Sequence, residues 1–304
     1  MILNFESGWK DERSMIMAIR ILTDSAVDLP QSVIDELGIT VMPLIVTIDN
    51  EQYEDGVTIS PKGMFDGMRE GRIYKTSQLS MEVLQKTFRS IAEANDEAIY
   101  IAFSSELSGT YASSRIMHDM VQDDFPSFTC SIIDTKCASL GFGLVVRQAA
   151  LWAREGLSRE EIVTQTLSLA RQMEHVFTVD DLQYLYRGGR VSKTSAVIGG
   201  LLNIKPVLDV EDGKLIPVDK VRGRKKSIQR LVDLMEERAN LNDKQQVIGI
   251  AHGDDAEAME QLKALIQERF GMTNFIISSI GCAIGAHSGP GTLALFFQNK
   301  SYSK

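Results

Sequence analysis

Three cysteines, Cys130, Cys137 and Cys282, are too few for a disulfide framework, and none of their spacings reads as a metal knuckle. A chain so poor in cysteine is expected in a reducing, cytoplasmic setting. No stretch of about 18 apolar residues is present, so no helix is expected to span a membrane. Positive charge is short as well: 32 Lys and Arg face 41 Asp and Glu, a net charge of −9. Phosphate backbones need a cationic surplus, so nucleic acid is not expected as the main partner. The common nucleotide and hydrolase signatures are missing too. Gly141-Phe142-Gly143 lacks the third glycine of a dinucleotide fingerprint and follows no convincing strand. No phosphate-loop lysine motif, zinc-protease motif or nucleophile elbow occurs. Neither a metal site nor a cofactor is expected.

What remains is an ordinary globular composition, 44% hydrophobic and 24% charged over 304 residues. That length suggests two domains, at roughly 150 residues each. Residues 1–17 carry Glu6, Lys10, Asp11, Glu12 and Arg13 without an apolar core. They read as an N-terminal extension or tag rather than a signal peptide, with Met15 and Met17 as further candidate starts.

From residue 18 to 170, short apolar runs alternate with helical stretches. Strands are expected at 18–22, 40–48, 98–103 and 129–134, with Pro43 marking an edge or a bulge in the second. Ser60-Pro61 and Ser80 open helices, a third follows residue 110, and a fourth runs over 141–154. The run 98–103 (AIYIAF) is unbroken, as expected of a strand covered on both faces. This alternation predicts a largely parallel sheet with helices on both faces. Residues 171–304 read differently. Ser158 with Glu161 forms a capping box for the last helix before the change. Asp212-Gly213 then lies between two alternating runs, a hairpin signal. The expected fold is therefore α/β with two domains, the parallel unit over 18–170 and a C-terminal α/β domain with a mixed, hairpin-containing sheet over 171–304.

Three polar segments could carry chemistry. Thr76-Ser77-Gln78 is expected in a loop between two helices. Residues 104–110 (SSELSGT) follow a buried strand and precede a helix, where free amides and hydroxyls suit a small anion, although plain N-capping uses the same residues. Residues 285–291 (GAHSGPG) are expected as a loop that lets backbone approach a ligand closely. His287 in that loop has no role legible from its neighbours alone. His118, His175 and His252 sit in regular elements and suggest structural roles. A Ser/His hydrolase is conceivable, but no acid completes a triad at a recognisable spacing. Asp24 is the least poor candidate, and Asp24-Ser25 equally reads as a helix cap. Two basic clusters stand out, Arg187-Gly188-Gly189-Arg190 and Arg222-Gly223-Arg224-Lys225-Lys226. Cations at a helix start oppose its dipole, which hints at docking of an acidic partner.

Taken together and in order, these segments resemble the DegV family. The resemblance is carried by Thr23-Asp24-Ser25, Thr76-Ser77-Gln78, Leu107-Ser108-Gly109-Thr110, Tyr184-Leu185 through Gly188-Gly189-Arg190, Ile204-Lys205-Pro206, and Gly285-Ala286-His287 with Gly289-Pro290-Gly291. It spans residues 18–298. It implies a two-domain α/β protein that holds one long-chain fatty acid between its domains. In bacteria such proteins serve as the binding subunit of a fatty acid kinase. A separate ATP-binding subunit phosphorylates the carboxylate to an acyl phosphate that feeds phospholipid synthesis, so no turnover is expected from the chain alone. The family's carboxylate-holding positions fall on Thr76, Ser108 and His287, with Ser77, Gly109 and Thr110 as further contacts. Its kinase-docking arginines fall on Arg187 and Arg222. Leu79 and Tyr186 depart from the residues usual at those places, proline and a basic residue. An acyl chain of about fifteen methylenes, at roughly 0.8 kcal/mol each, would contribute about 12 kcal/mol gross. Its carboxylate is expected to be gripped by hydroxyl and imidazole groups without a cation.

Overall fold

The computed structural model describes residues 19–192 and 203–300. The extension read at 1–17 lies outside the described residues.

The first sheet is parallel throughout. Strands β1 (Ile19–Asp24), β2 (Thr40–Met42), β6 (Glu97–Ala102) and β7 (Thr129–Asp134) run in the order β2-β1-β6-β7. Every residue of β6 except Glu97 is buried, so both faces are covered. The expected strand over 40–48 is two strands. Pro43 interrupts it, and the second half, β3 (Ile45–Ile48), leaves for a small antiparallel sheet of order β4-β3-β5. Its neighbours are β4 (Glu51–Glu54) and β5 (Lys75–Ser77). Thr76 is thus on a short strand rather than in a loop between helices. Cross-strand bonding to β3 overrides its polar, turn-like composition.

Helices α1 (Gln31–Leu37), α2 (Pro61–Arg69), α3 (Met81–Ala94), α4 (Thr110–Asp124), α5 (Ser139–Arg154) and α6 (Arg159–Ala170) follow the expected order. The side chains of Ser60, Ser80 and Ser158 accept from the amide three residues on, in α2, α3 and α6 respectively, and Glu161 completes the box. Helix α5 is buried on every side over residues 139–146, as a helix must be when it lies between two layers. It packs on β1 and on three strands of the second sheet. The paired glycines that fail as a nucleotide motif serve this packing: a Cβ at Gly141 would overlap His175 and Phe296, and one at Gly143 would strike the Val27 carbonyl.

The second sheet is mixed, six-stranded and ordered β10-β9-β8-β13-β11-β12. It comprises β8 (Met173–Thr178), β9 (Ile204–Glu211), β10 (Lys214–Arg222), β11 (Ile248–His252), β12 (Phe275–Ser279) and β13 (Leu293–Gln298). Only β11–β12 pair in parallel. The β9–β10 hairpin turns at Asp212-Gly213, both with positive φ, the geometry that matches strand twist. Helix α7 (Gln183–Arg187) precedes the hairpin, and α8 (Arg224–Arg238), α9 (Ala256–Phe270) and α10 (Cys282–Ser288) follow it. No described helix is long and apolar enough to cross a membrane.

Candidate functional site

A cavity of about 260 Å³ lies where the two sheets face each other. Ala26, Phe103 and Ala138 line it, each just beyond the carboxyl end of β1, β6 or β7. This is the usual ligand side of a parallel sheet. Phe177, Ala294 and Phe296 line it from β8 and β13, and Val210 and Leu215 from the hairpin. The hairpin tip is tied across the two units: Ser104 donates its hydroxyl to the Gly213 carbonyl at 2.8 Å, and Lys214 meets Glu106 at 3.5 Å.

Several polar side chains in the wall are already committed, among them Thr292, which donates to the Ser288 and Gly289 carbonyls. Ser139 donates to Asp28 at 2.5 Å. His175 donates to the Met173 carbonyl and accepts from the Ala138 amide, at 2.9 and 3.1 Å. Burial pushes its pKa down to about 4, so it is a neutral, satisfied core histidine.

The other side-chain hydrogen bonds at the wall fall into three separate sets. Thr76 Oγ1 and His287 Nε2 are 2.6 Å apart. Ser108 Oγ lies 3.0 Å from Thr110 Oγ1, and Thr110 Oγ1 accepts from the Leu79 amide at 3.3 Å. Gln78 donates to Ser113 Oγ at 2.7 Å. A Cβ at Gly109 would overlap the Gln78 amide oxygen, so glycine is what lets β5 and the start of α4 meet. Thr76, Ser77, Ser108, Gly109 and His287 therefore share one cavity wall. Thr110 does not: it is fully buried behind them, its hydroxyl bonding Ser108 and Leu79.

His287 is not in a loop. It closes the last turn of α10, whose start is held by two buried carboxylates from the first unit. Asp55 accepts from the Cys282 and Ala283 amides at 2.8 and 3.1 Å, and Asp28 accepts from the Gly281 amide at 2.8 Å. The glycines read as loop formers are outweighed by this distant cap. Burial raises the pKa of Asp28 to about 8 and that of Asp55 upward. Gly188 fits against the imidazole, where a Cβ would overlap Nδ1. That Nδ1 is buried and has no hydrogen-bond partner among the described residues. Desolvation, with the Arg190 charge nearby, pulls the pKa of His287 down to about 4.

Two wall residues escaped the sequence reading. Ser288 lines the cavity with a buried hydroxyl that lacks a partner among the described residues. Arg190 also lines it, which corrects the expectation of a site without a cation. After the Gly188-Gly189 turn, Gly189 having φ +72°, the chain doubles back and the guanidinium bonds the Leu107 carbonyl at 3.1 Å and the Gly188 carbonyl. The Arg-Gly-Gly-Arg string signalled it, but only as a surface cluster.

The other cations diverge. Arg187 is exposed at the end of α7, its guanidinium 4.9 Å over the Tyr184 ring. Arg222 is exposed at the end of β10 and does not line the cavity. Arg224, at the start of α8, is paired with Asp255 at 2.6 Å, which relieves its conflict with the helix dipole. A hydrolase triad is not assembled. His287 faces a threonine and no carboxylate, while Asp24 is buried and accepts from the Ala26 amide and the Tyr100 hydroxyl.

The comparisons with known proteins agree with this architecture. A DegV domain-containing protein of Caldanaerobacter subterraneus is 38% identical over 282 residues, covering 93% of this chain and 99% of its own. Another, from Clostridium perfringens, is 41% identical over 280 residues, covering 91% and 96%. A DegV family protein from Thermus thermophilus, described for its fatty acid binding, matches with a TM-score of 0.84 at 30% identity, over 93% of this chain and 100% of its own. DegV from Bacillus subtilis, described as a fatty acid binding protein, matches at 0.82 and 27% identity over 93% and 100%. The family model described as "Uncharacterised protein, DegV family" matches residues 18–300, and the chain belongs to that family.

Proposed function

We propose that the chain holds one long-chain fatty acid in the cavity between its sheets and presents the carboxylate to a separate ATP-dependent kinase subunit. The observation that carries this reading is the division of the cavity wall. Its uncommitted polar groups cluster around the 2.6 Å Thr76–His287 pair, and the rest is apolar or already hydrogen-bonded. The fatty acid binding described for the Thermus and Bacillus relatives supports it.

In this reading the hydroxyls of Thr76 and Ser108, with Ser77 and the Gly109 amide, receive the carboxylate oxygens. His287 orients Thr76. We place the proton of the neutral ring on Nε2, which leaves Nδ1 as the buried nitrogen without a partner among the described residues. Nε2–H then donates to Thr76 Oγ1, and the threonine hydroxyl is left to donate into the cavity. Arg190 supplies the counter-charge, which offsets the desolvation of a buried carboxylate. In the transfer step, one carboxylate oxygen attacks the terminal phosphorus of ATP, ADP departs, and an acyl phosphate remains for phospholipid synthesis. Arg187 and Arg222 face solvent and would dock the partner. We assign the activity to the cytoplasm, and the domain boundary to the α6–β8 junction near residue 170.

The test is denaturing extraction and mass spectrometry of the purified protein, followed by addition of a kinase subunit with ATP. A co-purified fatty acid and acyl phosphate formed only in the complete mixture are expected. An empty protein that also fails to bind added fatty acid would refute the lipid assignment. Turnover of ATP without phosphorylated lipid would refute the kinase assignment.

A further inference from the structure

On the outer side of the Thr76–His287 pair lies a second cleft, of about 370 Å³. It shares Thr76, Arg190 and His287 with the inner cavity, so this pair and the arginine form the partition between the two. Its other charged lining is cationic: Arg72, Lys75 and Arg187, beside Tyr74 and Tyr184. No acidic side chain lines it, in a chain whose net charge is −9. Four positive charges face one small volume.

These charges are not neutralised by internal pairing. Arg72 reaches Glu70 at 3.2 Å, with both side chains more than half exposed, a weak contact in water. Lys75, Arg187 and Arg190 form no ion pair with any carboxylate of the described residues. Arg187 is nevertheless held in place, over the Tyr184 ring and by a 3.4 Å bond to the Gln183 carbonyl. Mutual repulsion among cations gathered around one cleft is relieved by a bound anion. A carboxylate at the partition carries a single charge and is already met by Arg190 and the hydroxyl groups. The three further cations lie beyond it, in the direction in which the head group would have to grow. A group attached to the carboxylate, carrying two charges and several acceptor oxygens, matches that arrangement, and arginine forks suit its geometry.

We propose that the outer cleft is a phosphoryl subsite that holds the phosphorylated head of an acyl chain seated in the inner cavity. This inference rests on the fatty-acid reading and deepens it. The cleft then retains an acyl phosphate after transfer, with the mixed anhydride at the Thr76–His287 partition and the phosphoryl oxygens on Lys75, Arg72 and Arg187.

The test compares three probes by titration calorimetry: a long-chain fatty acid, the alkylphosphonate of the same chain length, and inorganic phosphate. Each is titrated into the delipidated full chain and into the Lys75→Gln/Arg187→Gln double variant. The phosphonate should bind the unaltered protein about tenfold more tightly than the fatty acid. In the double variant that advantage should vanish while fatty acid affinity stays within about twofold. Inorganic phosphate alone should bind far more weakly than the phosphonate. Equal affinities for phosphate and phosphonate would make this a free-anion site and overturn the assignment to a lipid head. A phosphonate advantage that is absent, or that survives in the variant while fatty acid binds normally, would overturn the subsite alone. Failure of the delipidated protein to bind either lipid would overturn the fatty-acid reading and this inference with it.

Discussion

Helices α4 and α10 both begin beside the cavity, and their starts are finished in opposite ways. At α10 the first amides are taken by Asp28 and Asp55, buried carboxylates that belong to the fold. At α4 the cap is Gly109, which offers no side-chain acceptor, and only the Ser108 hydroxyl touches the Thr110 amide, at 3.3 Å. A helix start attracts negative charge wherever it lies. In α10 hydrogen bonds to those two carboxyl groups fix an element, and with it His287. In α4 that attraction stays available, and in our reading a visiting carboxylate does there what Asp55 does permanently at the other helix.

The largest effect should come from removing the permanent acid. Asp55→Ala leaves the Ser25 hydroxyl and the Cys282 and Ala283 amides without their acceptor, and stability should fall by roughly 3 kcal/mol in urea denaturation. Stability unchanged by that substitution would mean α10 does not depend on its cap. Next comes the open start: Ser108→Ala should weaken fatty acid binding by about 1–3 kcal/mol while leaving the urea midpoint nearly unaltered. Equal loss of stability in the two variants would erase the contrast between the helices.

Gly188→Ala sharpens the comparison from outside. Its backbone φ of −72° accepts alanine, yet the new methyl group would displace the His287 ring. Fatty acid affinity should fall about tenfold, with a stability change below about 1 kcal/mol. Undiminished affinity would show that the ring's position does not matter.

The smallest effect expected near neutrality is a slope. Burial raises Asp28 from 3.8 to about 8 and Asp24 to about 6. The folded state therefore binds more protons than the unfolded one between those values and 3.8. Stability should decline as pH rises from about 4 to about 8, the upper part of the decline belonging to Asp28. Asp28→Asn should flatten that upper part in urea midpoints measured against pH. A wild-type curve already flat there would mean Asp28 ionises freely and is not a buried cap.

Much of the fold is legible because its signals are local. Ser60, Ser80 and Ser158 each cap a helix three residues away, and Asp212-Gly213 builds its turn from its own backbone. Strand β6 announces itself by unbroken apolarity. Helix α10 does not, because the groups that hold it come from Asp28 and Asp55, 253 and 227 residues away in sequence. Without them a segment so rich in glycine reads as a loop. Strand β5 is hidden for the same kind of reason: three polar residues become a strand only beside β3. At the candidate site, the resemblance named Thr76, Ser108 and His287, and the structure places all three on one cavity wall. Arg190 and Ser288 were named only within a basic cluster and a glycine-rich segment, since nothing local says that the one turns inward after two glycines or that the other hydroxyl stays unpaired.

The β9–β10 ribbon has a consequence of its own. Val210 and Leu215 flank its turn and form part of the cavity wall, while its outer strand alternates between exposed and half-buried side chains. Such an edge tolerates redesign better than the packed centre of a sheet. In our reading of the cavity as a fatty-acid site, it would act as a gauge for the acyl tail, adjustable without disturbing the grip on its head. Leu215→Phe should shorten the average acyl chain recovered by extraction, and an unchanged profile would show that the tail runs elsewhere.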